Sequence, residues 1–355
     1  MSTRRRLGVA ALATGAASAA IAGVIAVEHR AIGRARKGPD PYADEPLGSL
    51  HTPGTEVALE GDVTLHVEID GDRDSPLTVV FAHGYALSMD SFHFQRRDLG
   101  GDARLVFYDQ RSHGRSGRSA RADCTIEQLG EDLYSVLAAV APSGPVVLVG
   151  HSMGGMTVLS LAGRHPELVG DRVVGVALLS TSTGDLAKQV LGVPGWLSRL
   201  VNPAVPQVAK VVRSRAATLE RNRKIGSDVA YLFTRHFSFA ADAPPSLVHF
   251  MERMLTATSV EVMSDFFDAF LSHDAVEALS VLSDVPVLIS CGDRDLLTPL
   301  SHSELMAAML PDAELQILSG ANHMAILERY PAVNAALRRL FERALGGSSP
   351  QAIAG

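Results

Sequence analysis

The sequence contains little cysteine and has no excess of positive charge. Its 355 residues include only two cysteines, Cys124 and Cys291, so no disulfide framework is predicted, although a single bridge between the two remains open. Neither cysteine stands at a zinc-ligand spacing. The formal charge is −7, and nucleic acid binding is not expected because a surface that binds phosphates is usually basic. The low cysteine count excludes a disulfide-rich scaffold, and the acidic net charge gives no reason to expect a nucleic acid partner.

The composition is that of an ordinary globular protein, with 46% hydrophobic and 20% charged residues. About 300 residues remain once an atypical amino-terminal stretch is set aside. That length fits two average domains or one larger α/β unit that carries an insertion. The order of apolar runs along the chain favours the single unit.

The amino-terminal stretch, residues 1–37, has a basic and apolar pattern. Residues 7–27 contain no charge and follow Arg4, Arg5 and Arg6, and a helix of this length would roughly cross a bilayer core. An export signal is the alternative, with the small residues 17–19 as a cleavage site. The apolar run continues past those residues, which favours an uncleaved anchor. We therefore expect association with a membrane or the cell envelope; the membrane face and the oligomeric state stay open.

Apolar runs and helical patterns alternate through most of the remaining chain. Residues 38–55 are rich in proline and glycine and indicate a linker. The unbroken apolar runs that follow are typical of parallel strands covered on both faces, and they lie at residues 77–82, 105–108, 146–149, 173–179 and 287–289. This alternation predicts a doubly wound, mostly parallel sheet, whose ligands bind beyond the carboxyl ends of the strands.

The alternation stops between residues 182 and 283, where several helices separated by prolines are predicted. The sheet unit is thereby divided into residues 56–181 and 284–345, and residues 346–355 are expected to form a flexible tail. An insertion between two strands should lie over the carboxyl edge of the sheet as a helical lid. It is rich in large flexible and aromatic side chains, some of which we expect to line an apolar pocket: Phe250, Met251, Met254, Leu255, Met263, Phe266, Phe267 and Phe270.

A GxSxG pattern follows one of the predicted strands. Gly150, Ser152 and Gly154 stand between the run at 146–149 and a helical pattern that begins at once. A serine on such a sharp strand-to-helix turn needs small residues two positions away on either side, because a Cβ there would collide with neighbouring elements. The serine would also lie at a helix amino terminus, which favours developing negative charge. The context predicts a nucleophile at Ser152.

With these motifs, residues 55–345 resemble the α/β-hydrolase fold superfamily, in its lidded esterase, lipase and carbon–carbon hydrolase branch. In that family a histidine and a glycine follow the third strand and precede an oxyanion-hole donor, and this chain has His83, Gly84 and Tyr85 after residues 77–82. The resemblance implies that the backbone N–H groups of Tyr85 and Met153 form the oxyanion hole. His83 precedes the serine in the chain, so we interpret it as a structural loop residue.

The same resemblance implies the partners of the serine. A nucleophilic serine needs a base, and the base needs an acid that orients it. Asp295, three residues before Thr298, matches the acid loop of the family, with Asp293 as the alternative. His323, after the last predicted strand, matches the catalytic histidine. The implied order of serine, aspartate and histidine is that of α/β-hydrolases, and no metal or organic cofactor is required.

The expected reaction is hydrolysis of a carboxylic ester through an acyl-enzyme on Ser152. The apolar lid and the amino-terminal segment favour a small-molecule ester with a lipid-like acyl group. An acyltransferase or a carbon–carbon hydrolase would use the same triad, and a binding module that has kept the fold without catalysis is a further alternative.

Overall fold

The computed structural model describes residues 38–184 and 234–346, which form one eight-stranded sheet with helices on both faces. The strands are β1 (Thr55–Ala58), β2 (Thr64–Gly71), β3 (Thr78–Ala82), β4 (Arg104–Tyr108), β5 (Val146–His151), β6 (Val173–Leu179), β7 (Val287–Gly292) and β8 (Glu314–Leu318). The helices are α1 (His93–Leu99), α2 (Ile126–Val140), α3 (Met153–Arg164), α4 (Pro245–Ala257), α5 (Val260–Ser272), α6 (Leu300–Met309), α7 (Ala325–Glu328) and α8 (Tyr330–Ala344).

The strand order is β1-β2-β4-β3-β5-β6-β7-β8. The pairs β1–β2 and β2–β4 are antiparallel, and every later pair is parallel. The chain passes from β3 to β4 on one side and then to β5 on the other, so the strand order reverses at β3. Crevices form at the carboxyl ends of strands at such a reversal. The prediction of a doubly wound, mostly parallel sheet is confirmed.

Both faces of the sheet are covered, which explains the unbroken apolar runs. Val79 and Phe81 of β3 face a cluster that includes α1, α4 and α8, whereas Val80 and Ala82 face residues of α2 and α3. Phe81 also stacks on Phe107 of β4, with ring centroids 4.6 Å apart. Burying one such aromatic or aliphatic side chain stabilises the fold by about 2 kcal/mol.

The described part of the insertion is helical, as the proline-punctuated pattern predicts. Helices α4 and α5 both belong to it. Phe266 of α5 is fully buried with Met153 and Met156 of α3. The lid therefore packs directly on the helix that follows the nucleophile turn.

Residues 38–54, called the strap below, differ from the prediction of a linker over 38–55. Tyr42 and Leu47 pack against the apolar cluster on one face of the sheet. The Thr52 N–H donates to the buried carboxylate of Glu68 over 3.1 Å. The strap contains no regular helix or strand, but these contacts make it part of the folded body.

The predicted anchor at residues 7–27 lies outside the described residues, as does the tail from residue 347. Within residues 38–184 and 234–346, no helix has the length and apolar character needed to cross a membrane. The two cysteines are buried and unbridged.

Candidate active site

Ser152 lies on a strained turn between β5 and α3. Its φ of 53° and ψ of −119° place it in a region that L-residues rarely adopt. A Cβ on Gly150 would overlap the backbone of Gly154, and a Cβ on Gly154 would overlap the Ala82 carbonyl of β3. The two glycines thus allow the close approach of strand and helix that the GxSxG pattern predicts.

Ser152, His323 and Asp295 form one continuous hydrogen-bonded relay. The Ser152 hydroxyl lies 3.0 Å from Nε2 of His323, and Nδ1 of His323 lies 2.9 Å from Oδ2 of Asp295. Because the Asp295 carboxylate can only accept, Nδ1 carries the proton and Nε2 is free to accept from the serine. Ser152 is half-buried, and the other two residues are buried.

The Asp295 carboxylate is held by its own loop. Its Oδ1 accepts from the N–H groups of Leu297 and Thr298, both at 2.9 Å, and its Oδ2 accepts from the Thr298 hydroxyl at 2.8 Å. Burial alone would raise the pKa of Asp295, but the neighbouring His323 and the bonds from His323 and Thr298 outweigh burial and lower the pKa. Asp293 instead accepts from the Gly320 N–H at 2.8 Å. The structure therefore places Asp295, and not Asp293, beside His323.

Three other histidines, His83, His113 and His151, are buried in or beside the loops of the site. Burial lowers the pKa of His83 to about 4 and the pKa values of His113 and His151 to about 3. Both ring nitrogens of His83 are used within loops, since Nδ1 donates to the Gly84 carbonyl and Nε2 accepts from the Gln110 N–H. The pKa values of these three lie well below neutral pH, and His323 is the histidine that contacts Ser152.

The two proposed oxyanion donors lie at adjacent strand ends. Ala82 of β3 is in register with Gly150 of β5, so the loop that carries Tyr85 runs beside the nucleophile turn. Among the described residues, neither the Tyr85 N–H nor the Met153 N–H has an acceptor. The Tyr85 hydroxyl donates instead to the Met263 carbonyl of α5 at 2.6 Å, which ties this loop to the lid. Two unpartnered N–H groups beside Ser152 suit a developing negative charge.

Ser152 and His323 open onto a cavity of about 1560 Å³ between the sheet edge and the lid. Of the lid residues singled out by the sequence, Met251, Leu255 and Met263 line it, whereas Phe250 and Phe266 are buried in the packing beneath. The strap contributes a further wall. A large pocket with mostly apolar side chains and a few convergent polar groups is typical of a ligand site.

Comparison with known proteins identifies the family of this chain. The sequence pattern described as the alpha/beta hydrolase fold matches residues 78–330, which is most of the chain. The chain belongs to the alpha/beta hydrolase fold family. It is 27% identical over 281 residues to the putative carbamate hydrolase RutD of Caulobacter sp. (strain K31), covering 78% of this chain and 94% of that protein. It is 26% identical to the monoacylglycerol lipase of Mycolicibacterium smegmatis, covering 71% and 82% respectively.

Solved structures show the same fold. The esterase RhEst1 of Rhodococcus sp. ECU1013 superposes with a TM-score of 0.66 at 22% identity, covering 82% of this hydrolase and 99% of that chain. The similarity of this α/β-hydrolase to its relatives thus extends over most of the chain. The strap precedes the residues that the family pattern matches.

Asn322 links the relay of this hydrolase to its lid. Its buried side-chain oxygen accepts from the N–H groups of His323 at 2.9 Å and Leu296 at 3.3 Å. Its amide nitrogen donates to the carbonyls of His236 and Phe239, both at 3.2 Å. One side chain thus joins the base loop, the acid loop and the returning end of the lid.

Replacing Asn322 with alanine is expected to lower kcat about tenfold and the free energy of unfolding by about 2 kcal/mol, because buried backbone groups would lose their partners. Asn322→Asp is the matched variant, since it keeps an acceptor for His323 and Leu296 but loses the donor to the lid. Ester hydrolysis and urea unfolding of both variants measure the effect. Wild-type kcat in Asn322→Ala would contradict a positioning role.

Sequence reasoning missed three parts of this site: Asn322, the hydroxyl of Thr298, and the strap. Asn322 directly precedes the predicted base and could have been noted for that position. Tyr42 and Leu47, large apolar residues among prolines, were the signal that 38–55 is more than a linker. The contacts themselves join segments far apart in sequence, so no local pattern encodes them.

Proposed function

We propose that this hydrolase cleaves a carboxylic ester with an apolar acyl group through an acyl-enzyme on Ser152. The observation that carries the proposal is the Ser152–His323–Asp295 relay, which opens onto a large cavity whose exposed wall is mostly apolar. Its relatives include proteins named as esterases and lipases, which supports the same class of substrate here.

The proposed reaction uses the relay in two steps. His323 Nε2 takes the Ser152 proton while the serine oxygen attacks the ester carbonyl, and the N–H groups of Tyr85 and Met153 stabilise the oxyanion. The intermediate collapses as His323 returns the proton to the leaving alcohol. Water, deprotonated by His323, then attacks the acyl-enzyme and releases the acid and the free serine. Asp295 stays ionised and orients the imidazole throughout.

The direct test is hydrolysis of p-nitrophenyl esters from acetyl to palmitoyl, together with labelling by a fluorophosphonate probe. We expect turnover of part of the series and stoichiometric labelling. A wild-type protein that hydrolyses no ester and is not labelled would overturn the proposal. Cleavage of a diketone instead, followed by ultraviolet absorbance, would favour carbon–carbon hydrolysis, and transfer of the acyl group to an added alcohol faster than to water would favour an acyltransferase.

We further propose that residues 7–27 attach the enzyme to a membrane. The support is their uncharged character and the three arginines that precede them. The full chain should then remain in the membrane pellet after a carbonate wash, whereas a chain that begins at residue 38 should not. A mature chain shown by amino-terminal sequencing to begin shortly after residue 19 would overturn the anchor in favour of an export signal.

A further inference from the structure

The strap bridges the lid and the body of the hydrolase. The Asp40 carboxylate accepts from the N–H of Ser246 at 2.8 Å and from its hydroxyl at 2.6 Å, in the first turn of α4. The Glu45 carboxylate accepts from His93 Nε2 and Arg97 Nη1, both at 2.9 Å, on α1. An acidic side chain at a helix amino terminus is favourable. The first half of the strap is thus fixed to the lid through Asp40 and to α1 through Glu45.

Tyr42, between these two attachments, and Leu47, just after the second, present apolar groups to the body. The Tyr42 ring lies 5.3 Å from the ring of Phe94 and 6.2 Å from that of Tyr330. The Leu47 side chain packs against the same apolar cluster, and its carbonyl accepts from Arg253 of α4 at 3.1 Å. Contacts of both the backbone and the side chain therefore hold Leu47 in position.

The strap also forms a wall of the substrate cavity. Tyr42, Pro46 and Leu47 line the cavity onto which Ser152 and His323 open. Since the family pattern begins only at residue 78, this wall belongs to a part of the chain that the pattern does not match. The shape of the pocket on this side therefore depends on a segment that precedes the residues matched by the family pattern.

Leu47 stands where the substrate cavity meets a second one. A neighbouring cavity of about 350 Å³ is lined by Leu47, Gly48, Leu87 and Arg253 among others. Leu47, Leu87, Arg253 and Ala257 line both cavities and so separate them. Within the described residues, Leu47 is the one strap residue that lines both. Because Leu47 is not part of the relay, truncating its side chain would enlarge the substrate cavity on this side without removing a relay contact.

We propose that the strap determines the length of acyl chain that the enzyme accepts, with Leu47 as the stop at the end of the pocket. The inference rests on the proposed ester hydrolysis and adds the element that selects among esters. The acyl chain lies along the apolar wall from Ser152 towards the strap, and its terminal methyl group meets Leu47. A longer acyl chain is rejected because Leu47 is held in place by its own contacts and by those that fix the strap to α4 and α1.

The test compares Leu47→Ala, Leu47→Trp and wild type on the p-nitrophenyl ester series, with kcat/KM as the readout. Leu47→Ala should move the optimum to longer chains, with about a 15-fold gain for an ester two methylenes beyond the wild-type optimum, since each buried methylene contributes about fourfold. Leu47→Trp should move the optimum to shorter chains. The control is Leu50→Ala, a second leucine of the strap that lines neither cavity, and it should keep the wild-type optimum.

The outcomes separate the two proposals. An unchanged optimum in both Leu47 variants, with Ser152-dependent hydrolysis intact, would overturn the role of the strap alone. The same shift in Leu50→Ala would also overturn it, because the effect would then reflect general loosening of the segment. A wild-type enzyme inactive on every ester would overturn the proposed function and this inference together. Opposite shifts in the alanine and tryptophan variants would support the inference even if one of them were less stable.

Discussion

Ser152→Ala is expected to reduce kcat for ester hydrolysis on the order of 10⁴- to 10⁶-fold, the largest effect of any single substitution. The variant removes the hydroxyl that Nε2 of His323 activates as the nucleophile, while the turn, the cavity and the N–H groups of Tyr85 and Met153 remain. Residual turnover should come from that positioning alone. The measurement is kcat at saturating ester, together with loss of fluorophosphonate labelling.

Ser160→Ala provides the matched control for this prediction. Ser160 lies on α3, the same helix that follows Ser152, but it is not part of the relay. It should retain wild-type turnover and labelling. If Ser152→Ala retained more than about a tenth of the wild-type kcat, the acyl-enzyme on Ser152 would be wrong, since removing a nucleophile costs far more than that.

Asp295→Asn is expected to reduce kcat on the order of 10⁴-fold while leaving the fold intact. A carboxamide at this position can donate to Nδ1 of His323, which would favour the imidazole tautomer with its proton on Nε2. That nitrogen could then no longer accept the Ser152 proton. Asp293→Asn is the control because the Asp293 side chain accepts from the Gly320 N–H and not from His323; it should have nearly wild-type kcat. An equal loss in both variants would contradict the assignment of the acid.

The pH dependence of stability gives a second readout for Asp295. The pKa of this carboxyl is lowered in the folded protein, so its ionised form contributes stability above the unfolded pKa of about 4. That contribution is lost as the pH falls through the folded pKa. The difference in melting temperature between wild type and Asp295→Asn should therefore shrink as the pH is lowered below about 4. A difference independent of pH would mean that the carboxylate charge is not what stabilises the relay.

Much of the fold was predictable because its signals are local. A parallel strand buried on both faces needs a continuous apolar run, and the run at 173–179 coincides with β6. The glycines around Ser152 follow from the close packing of β5, α3 and β3, which leaves no room for a Cβ. These patterns sufficed for the order of elements and the position of the nucleophile turn.

The partners of Ser152 were reached through resemblance to a family and not from spacing. Asp295 and His323 lie 143 and 171 residues beyond Ser152 along the chain, and only the sheet brings their loops to one edge. Asp293 and Asp295 could not be separated by the residues alone, since both follow β7. The distance from His323 to Asp295 makes that distinction.

By itself the sequence determined the elements that depend on neighbouring residues: the buried strands, the helices and the glycine-flanked serine. Tertiary structure alone decided how distant segments meet, namely that Asn322 joins the relay to the lid and that residues 38–54 close one wall of the cavity. The physical reason is that periodicity and turn chemistry act over a few residues, whereas a pocket is made by side chains whose contacts appear only once the sheet has assembled.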